Sequence, residues 1–331
     1  MTEDQNNRPV GGFFELDLPT GQPEIHADSI ALSTGRSCLC AILRYLRPKR
    51  CLVPYYLCAS AVRPFHKLGV EIECYEVTES MTPVQDPDLG PDDCLLYVNY
   101  FGLNRDEAER LHSIYGSRLI VDNTHDLFDE GGYENAWSFT SARKYFGIPD
   151  GAYLSVPRDV EVADVVPPET PPFTDISLQH SLTRLTGPQE VAFELFQDYE
   201  SRMPCELFRI SDYSRCILSH IEFSHVRATR RKNFEILWDA TRELNTLKIE
   251  LPDQFDPFAC PFLPQRPVDR QRFFDLQIFV PVLWPRMPNC DASEFPVSVR
   301  LSQQILPLPI DHRYGPQEMH RIAEAVNRYA K

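Results

Sequence analysis

The amino-acid sequence predicts an α/β protein whose large, mainly parallel sheet is followed by a smaller C-terminal α+β domain. Two observations carry that reading. From about residue 33, stretches of helical periodicity alternate with short apolar runs, and after about residue 250 the texture shifts to short apolar segments broken by prolines. Helices alternating with fully apolar strands imply a parallel sheet covered on both faces. A third observation points to function: Pro54, Asn99 and Asp122 all fall where strands end, and such sheets collect ligands at their carboxyl ends.

Each element follows from its own pattern. Residues 37–46 have helical spacing and stop before Arg47-Pro48, and 50–54 is a short apolar strand ended by proline. Residues 57–68 return to helical spacing, and 70–77 alternate as a strand does. A buried strand over 94–99, a helix over 105–115 and a strand over 118–122 come next, then strands over 136–140 and 152–156. The proline-rich run 167–172 reads as a stiff extended connector leaving the sheet. Helices are expected over 188–203 and 205–244, strands over 274–282 and 297–301, and a final amphipathic helix over 316–329. The expected division is 1–240, including an N-terminal arm and connecting helices, and 241–331.

Composition narrows the function classes. Of 331 residues 43% are hydrophobic, enough for two real cores. Lys and Arg number 33 against 48 Asp and Glu, a formal charge of −15 with no basic block, which argues against nucleic acid as a partner. The polar start Met1-Thr2-Glu3-Asp4 reads as neither a signal peptide nor a membrane span, so a cytoplasmic enzyme acting on a small molecule is expected, away from any membrane. None of the ten cysteines forms a CxxC pair; reduced, mostly buried thiols are expected, and no metal site.

The chemistry concentrates in a few places. Ser33-Thr34-Gly35-Arg36-Ser37 opens a helix, where free amides and the positive end of the helix dipole suit a phosphate, although a hydroxyl residue there can equally be a plain cap. Tyr55 and Tyr56 follow a strand end, where one ring could stack on a flat ligand or simply pack. Asp122-Asn123-Thr124-His125 places an acid and an imidazole at another strand end. Lys144 lies just past a strand, with Ser138 and Ser141 before it as possible phosphate partners. A lysine amine able to hold an aldehyde cofactor, with a carboxylate to keep a pyridine nitrogen protonated, is the pair that pyridoxal 5′-phosphate (PLP) requires.

In this order the segments resemble the DegT/DnrJ-type sugar aminotransferases, which are fold-type-I PLP enzymes. Ser33-Thr34-Gly35-Arg36-Ser37 is similar to the family's phosphate-binding turn, and Val121-Asp122-Asn123-Thr124-His125 to its acid-x-x-His/Gln element. Ser141-Ala142-Arg143-Lys144 through Asp150-Gly151 is similar to its Schiff-base segment, and Val282-Leu283-Trp284-Pro285 and the run 306–314 to its small domain. The resemblance implies a seven-stranded-type sheet and a homodimer with shared active sites. It further implies transfer of an amino group, usually from glutamate, to the keto group of a sugar or sugar-like substrate. Lys144 and Asp122 would be catalytic; Gly35, Arg36, Ser37, Tyr55, Tyr56, His125, Ser138 and Ser141 would join them in holding PLP. A PLP-dependent lyase, dehydratase or carbon–carbon bond-forming enzyme is the alternative, and a catalytically silent protein of the same fold a third. The chain departs from the family at Arg36, where a small hydroxyl residue is usual, and at Ser211-Asp212-Tyr213-Ser214, which matches a substrate-contacting Asn-Tyr pair only loosely.

Overall fold

The computed structural model describes residues 18–19, 21–129, 133, 135–284 and 290–330. The expected N-terminal arm before residue 18 and Pro285 of the small-domain motif lie outside the described residues. In chain order the first half runs β1 (Ile30–Leu32), α1 (Gly35–Leu46), β2 (Arg50–Pro54), α2 (Ala59–Leu68), β3 (Glu71–Tyr75), β4 (Asp93–Val98), α3 (Arg105–Tyr115), β5 (Leu119–Asp122), β6 (Trp137–Thr140) and β7 (Ala152–Ser155). The second half runs α4 (Val162–Val165), α5 (Gln179–Thr186), α6 (Gln189–Arg202), α7 (Asp212–Leu218), α8 (Phe223–Thr241), β8 (Cys260–Phe262), α9 (Gln271–Phe274), α10 (Pro296–Gln304), β9 (Leu306–Leu308) and α11 (Pro316–Tyr329).

Seven strands form one sheet in the order β1-β7-β6-β5-β4-β2-β3. Only β7 runs against its neighbours; the pairs β2–β3, β2–β4, β4–β5 and β5–β6 are parallel. Every residue of β4 is buried, as expected of a strand covered on both sides. Its period of two divides the core. Cys94, Leu96 and Val98 join the apolar cluster on the α1 side, while Leu95 and Tyr97 join Leu111 and Tyr115 of α3 on the other. The same alternation in β5 puts Ile120 on the α1 side, and Asp122, two residues on, shares that side. The acid therefore projects toward the start of α1.

That start is well defined. Thr34 caps α1 by accepting the Ser37 amide at 3.0 Å, and Arg47, in the left-handed region (φ 49°), ends the helix by donating to the Leu43 carbonyl just before Pro48. Beyond the sheet, β8 and β9 pair antiparallel, and α11 packs on α8. Buried Asn233 of α8 donates to the carbonyls of Ile310 (3.2 Å) and Tyr314 (3.0 Å), pinning the loop after β9 to the helix. The α1-side cluster continues into α8, β8, β9 and α11. No helix among the described residues is long and apolar enough to cross a membrane.

The structure corrects four expectations. The helix expected over 205–244 begins only at Asp212, because residues 208–210 instead pair with the sheet edge, and a turn after Leu218 divides the remainder into α7 and α8. Phe208 accepts from the Ser33 amide at 2.9 Å, and the Ile210 amide donates to Ala31 at 3.2 Å. The strand expected over 297–301 is helix α10. Its Val-Ser-Val-Arg-Leu sequence alternates, but Pro296 occupies the first turn and the distant Glu76 carboxylate accepts the Val297 (2.9 Å) and Ser298 (3.0 Å) amides. Residues 274–282 form no strand; α9 ends there, and Gln277 sits at φ 57°. The run 167–172 contains a turn, closed by the Thr170 amide on the Pro167 carbonyl at 3.0 Å. Strands β1, β8 and β9 escape sequence reading because three residues are too few to show a period.

Candidate active site

Lys144 ends a short helical turn that follows β6, its amide donating to the Ser141 carbonyl at 3.3 Å. The loop beyond it is fixed by Asp150, which is fully buried and ends the run 147–150. One carboxylate oxygen accepts the Ser211 (2.5 Å) and Ser214 (2.6 Å) hydroxyls, and the other accepts the Ser211 amide at 2.8 Å. Ser211 at the same time caps α7. Burial raises the Asp150 carboxyl, an effect offset in part by the Ser211 and Ser214 bonds. The Ser211–Ser214 segment, which matches a substrate-contacting Asn-Tyr pair only loosely, clamps the lysine loop through both its serines. Asp150→Ala would leave two buried hydroxyls and an amide without an acceptor. It should cost about 2–4 kcal/mol of stability, read as a lowered denaturant midpoint; an unchanged midpoint would refute the clamp.

One cavity gathers the chemistry. Gly35 and Arg36 from the start of α1, Asp122 and His125 from the end of β5, and Ser141 and Lys144 after β6 all line it. Thr34, Thr124, Phe139, Arg143, Phe196, Glu200 and Trp284 line it too. Six of the ten residues expected from the sequence therefore meet there.

The other four are placed elsewhere. Ser37 is fully buried, its hydroxyl donating to the Glu206 carbonyl at 2.7 Å. Ser138 is buried on the face of β6 opposite Trp137 and Phe139, again because side chains alternate along a strand. Tyr55 stacks on Phe295 with ring centroids 4.6 Å apart. Tyr56 packs between Tyr100 and Trp284 at 5.2 and 4.9 Å. Both tyrosine rings are committed to packing. The aromatic side chains on the cavity wall are His125, Phe139, Phe196 and Trp284.

The electrostatics are uneven. Asp122 is buried, and one of its oxygens accepts the Thr124 amide at 3.0 Å. Burial raises its carboxyl, countered by the Thr124 bonds and the charge on Lys144. His125 lies stacked on Phe258 at 4.0 Å, with Trp284 at 4.8 Å. Its Nδ1 is buried with no partner among the described residues. Burial, then Lys144 and Arg230, hold it well below the usual imidazole range, so the ring is neutral. Glu200 of α6 reaches across to an Arg143 nitrogen and to Arg36 at 3.5 Å. Burial works against its charge, but Arg143 and then Arg36 prevail and hold its carboxyl below the usual range. Lys144 is exposed, and its amine has no ion pair or hydrogen bond among the described residues.

Arg143, Glu200, Phe196 and Trp284 are site residues that sequence reasoning misses. Arg143 stands beside Lys144 and Trp284 lies in the small-domain motif 282–285, so both had a signal that could have found them. Glu200 gives no local signal, since a glutamate on an amphipathic helix is ordinarily a solvated charge.

The residues present fit PLP. A buried carboxylate with one amide donor suits a protonated ring nitrogen, and an orphaned neutral imidazole suits a ring substituent. The Thr34 cap takes the Ser37 amide and leaves those of Gly35 and Arg36, at a helix N-terminus beside two guanidinium groups, for a phosphate. At Gly35 a Cβ would stand 3.4 Å from the Phe139 ring and 3.6 Å from the Thr124 methyl, in contact with two other residues of the cavity wall.

No family model and no curated protein sequence matches the chain. Solved structures do. DesV of S. venezuelae, solved with a ketimine intermediate, superposes with a TM-score of 0.65 at 17% identity, covering 91% of this chain and 84% of that one. The sugar aminotransferase CalS13 from Micromonospora echinospora gives 0.61 at 15%, covering 90% and 86%. A DegT DnrJ EryC1 StrS aminotransferase from Brucella abortus gives 0.60 at 14%, covering 90% and 85%. Other matching structures are in PLP and PMP forms. The chain has the fold of the DegT/DnrJ-type aminotransferases, the fold-type-I architecture that its sequence predicts.

Proposed function

We propose that the protein is a PLP-dependent aminotransferase that moves an amino group from an amino acid, glutamate in the first instance, to a keto group on a sugar or sugar-like acceptor. One observation carries the reading: an unpaired lysine, a buried strand-end acid and an orphaned imidazole converge on one cavity that also holds a helix N-terminus. The names of the solved structures that share the fold support the acceptor class, and the resemblance of the segments supports a homodimer.

Bound there, PLP would supply an electron sink for breaking a bond at the α-carbon of an amino substrate. The chain's own residues do the rest. Lys144 Nζ attaches the cofactor and afterwards moves a proton to and from that carbon, for which its exposed, unpaired position leaves it free. Asp122 would hold a proton on the ring nitrogen of the bound group. His125, whose Nδ1 has no partner among the described residues, would meet a ring substituent, with Trp284 on the wall beside it. Gly35 and Arg36 would anchor the phosphate, with Ser141 on the same wall.

The half-reaction tests this directly. Glutamate added alone to the PLP-loaded protein should bleach the visible absorption and release one keto acid per site, with no second substrate. Continuous turnover on an amino substrate, with the visible band restored each cycle, would favour the lyase or dehydratase reading. A broad amino-acid panel that leaves the spectrum unchanged would remove the aminotransferase.

A further inference from the structure

We propose that Cys74 and Cys290 are an oxidation site, forming a reversible intrachain disulfide that ties the edge strand of the sheet to the approach to α10. All ten cysteines are unbridged in the structure, yet the Cys74 and Cys290 sulfurs lie 2.9 Å apart. Cys74 belongs to β3, which ends the sheet, and both residues are half-buried. The rest of the junction holds the two chain segments together without the sulfurs. Glu76, two residues beyond Cys74, accepts the Val297 and Ser298 amides, and Tyr55, whose amide bonds the Tyr75 carbonyl at 2.9 Å, stacks on Phe295. Little further ordering is needed to bring the thiols into bonding range.

Other cysteines show why this pair is distinct. Cys51 and Cys94 stand opposite each other on neighbouring parallel strands, but at 0% and 1% exposure an oxidant cannot reach them. Cys216 is exposed but has no thiol beside it among the described residues. Only Cys74 and Cys290, among the described residues, combine sulfur contact with access.

The chemistry is a two-electron oxidation by a peroxide. One thiolate attacks a peroxide oxygen, the O–O bond breaks, and a sulfenic acid forms as hydroxide leaves. The second thiolate attacks that sulfur, the S–S bond forms, and a second hydroxide leaves. Two thiols and one hydrogen peroxide give one disulfide and two waters. Burial, then the adjacent Cys290 sulfur, raise the Cys74 thiol, so the reaction should quicken as pH rises.

Hydrogen peroxide titration of the full chain, followed by alkylation in denaturant and peptide mapping, tests the pair without reference to PLP or turnover. At doses that oxidise exposed Cys216, Cys74 and Cys290 should lose reactivity together and appear in one cross-linked peptide pair, and dithiothreitol should restore both. The oxidised protein should melt several degrees above the reduced one, a gain absent from Cys74→Ser and from Cys290→Ser. Both thiols still open to alkylation at those doses would overturn the proposal, as would a bridge from either one to a different cysteine.

Discussion

Lys144→Ala should give a folded protein that never turns yellow with PLP and that loses turnover by roughly 10³-fold or more. The size of the effect follows from two roles resting on one amine, attachment of the cofactor and proton movement at the substrate carbon. No neighbouring lysine can substitute, since Lys144 is the only lysine lining the cavity among the described residues. In the native protein, borohydride should fix PLP to the peptide holding Lys144. Thermal melting of the variant should match the parent, because the amine makes no hydrogen bond or ion pair among the described residues. Cofactor trapped on another lysine, or a variant that keeps its colour and its rate, would contradict the assignment.

Asp122→Asn should be the second large effect, and an electronic one. A carboxylate against a pyridine nitrogen raises that nitrogen's pKa by roughly 1–3 units, and the neutral amide forfeits this. Loss of one such preorganised electrostatic partner ordinarily costs about 10²–10³ in rate. The variant should still fold, since burial disfavours the ionised carboxylate and an amide of the same shape is tolerated there. It should still bind PLP and still be reduced onto Lys144 by borohydride. A rate within a few-fold of the parent would mean that the acid is misassigned. Failure to fold would mean that its role is structural.

The large sheet is legible because its strands carry their own signal. Residues 51–54, 94–98 and 119–121 are short apolar runs, and each occupies the strand expected of it. Asp122 can be placed at a strand end for the same reason, and the face it points to follows from Ile120 once the strand is granted. What the sequence conceals depends on partners far along the chain. The 297–301 segment reads as a strand until Glu76, distant in sequence, caps it as a helix. The break before α7 is made by the sheet edge taking residues 208–210. Tyr55 and Tyr56 look free to face a ligand because Phe295, Tyr100 and Trp284, which occupy their rings, come from other elements. Ser138 reads as a neighbour of the lysine on proximity in sequence alone, whereas the pleat turns it away.

The α5–α6 hairpin gives one side of the cavity a separate fate. Its two helices pack mainly on each other, α5 buries no residue, and the small cluster beneath consists of Phe173, Tyr199 and Met203. Phe196 and Glu200 nevertheless come from this hairpin. A unit with so little buried surface opens at a free-energy cost well below that of global unfolding. Swinging it away would strip Arg36 and Arg143 of their shared counter-ion while Lys144, Asp122 and the sheet stayed in place. Such a sub-global excursion would open the cavity on the side of Phe196 and Glu200, while Lys144 and Asp122 stayed with the sheet.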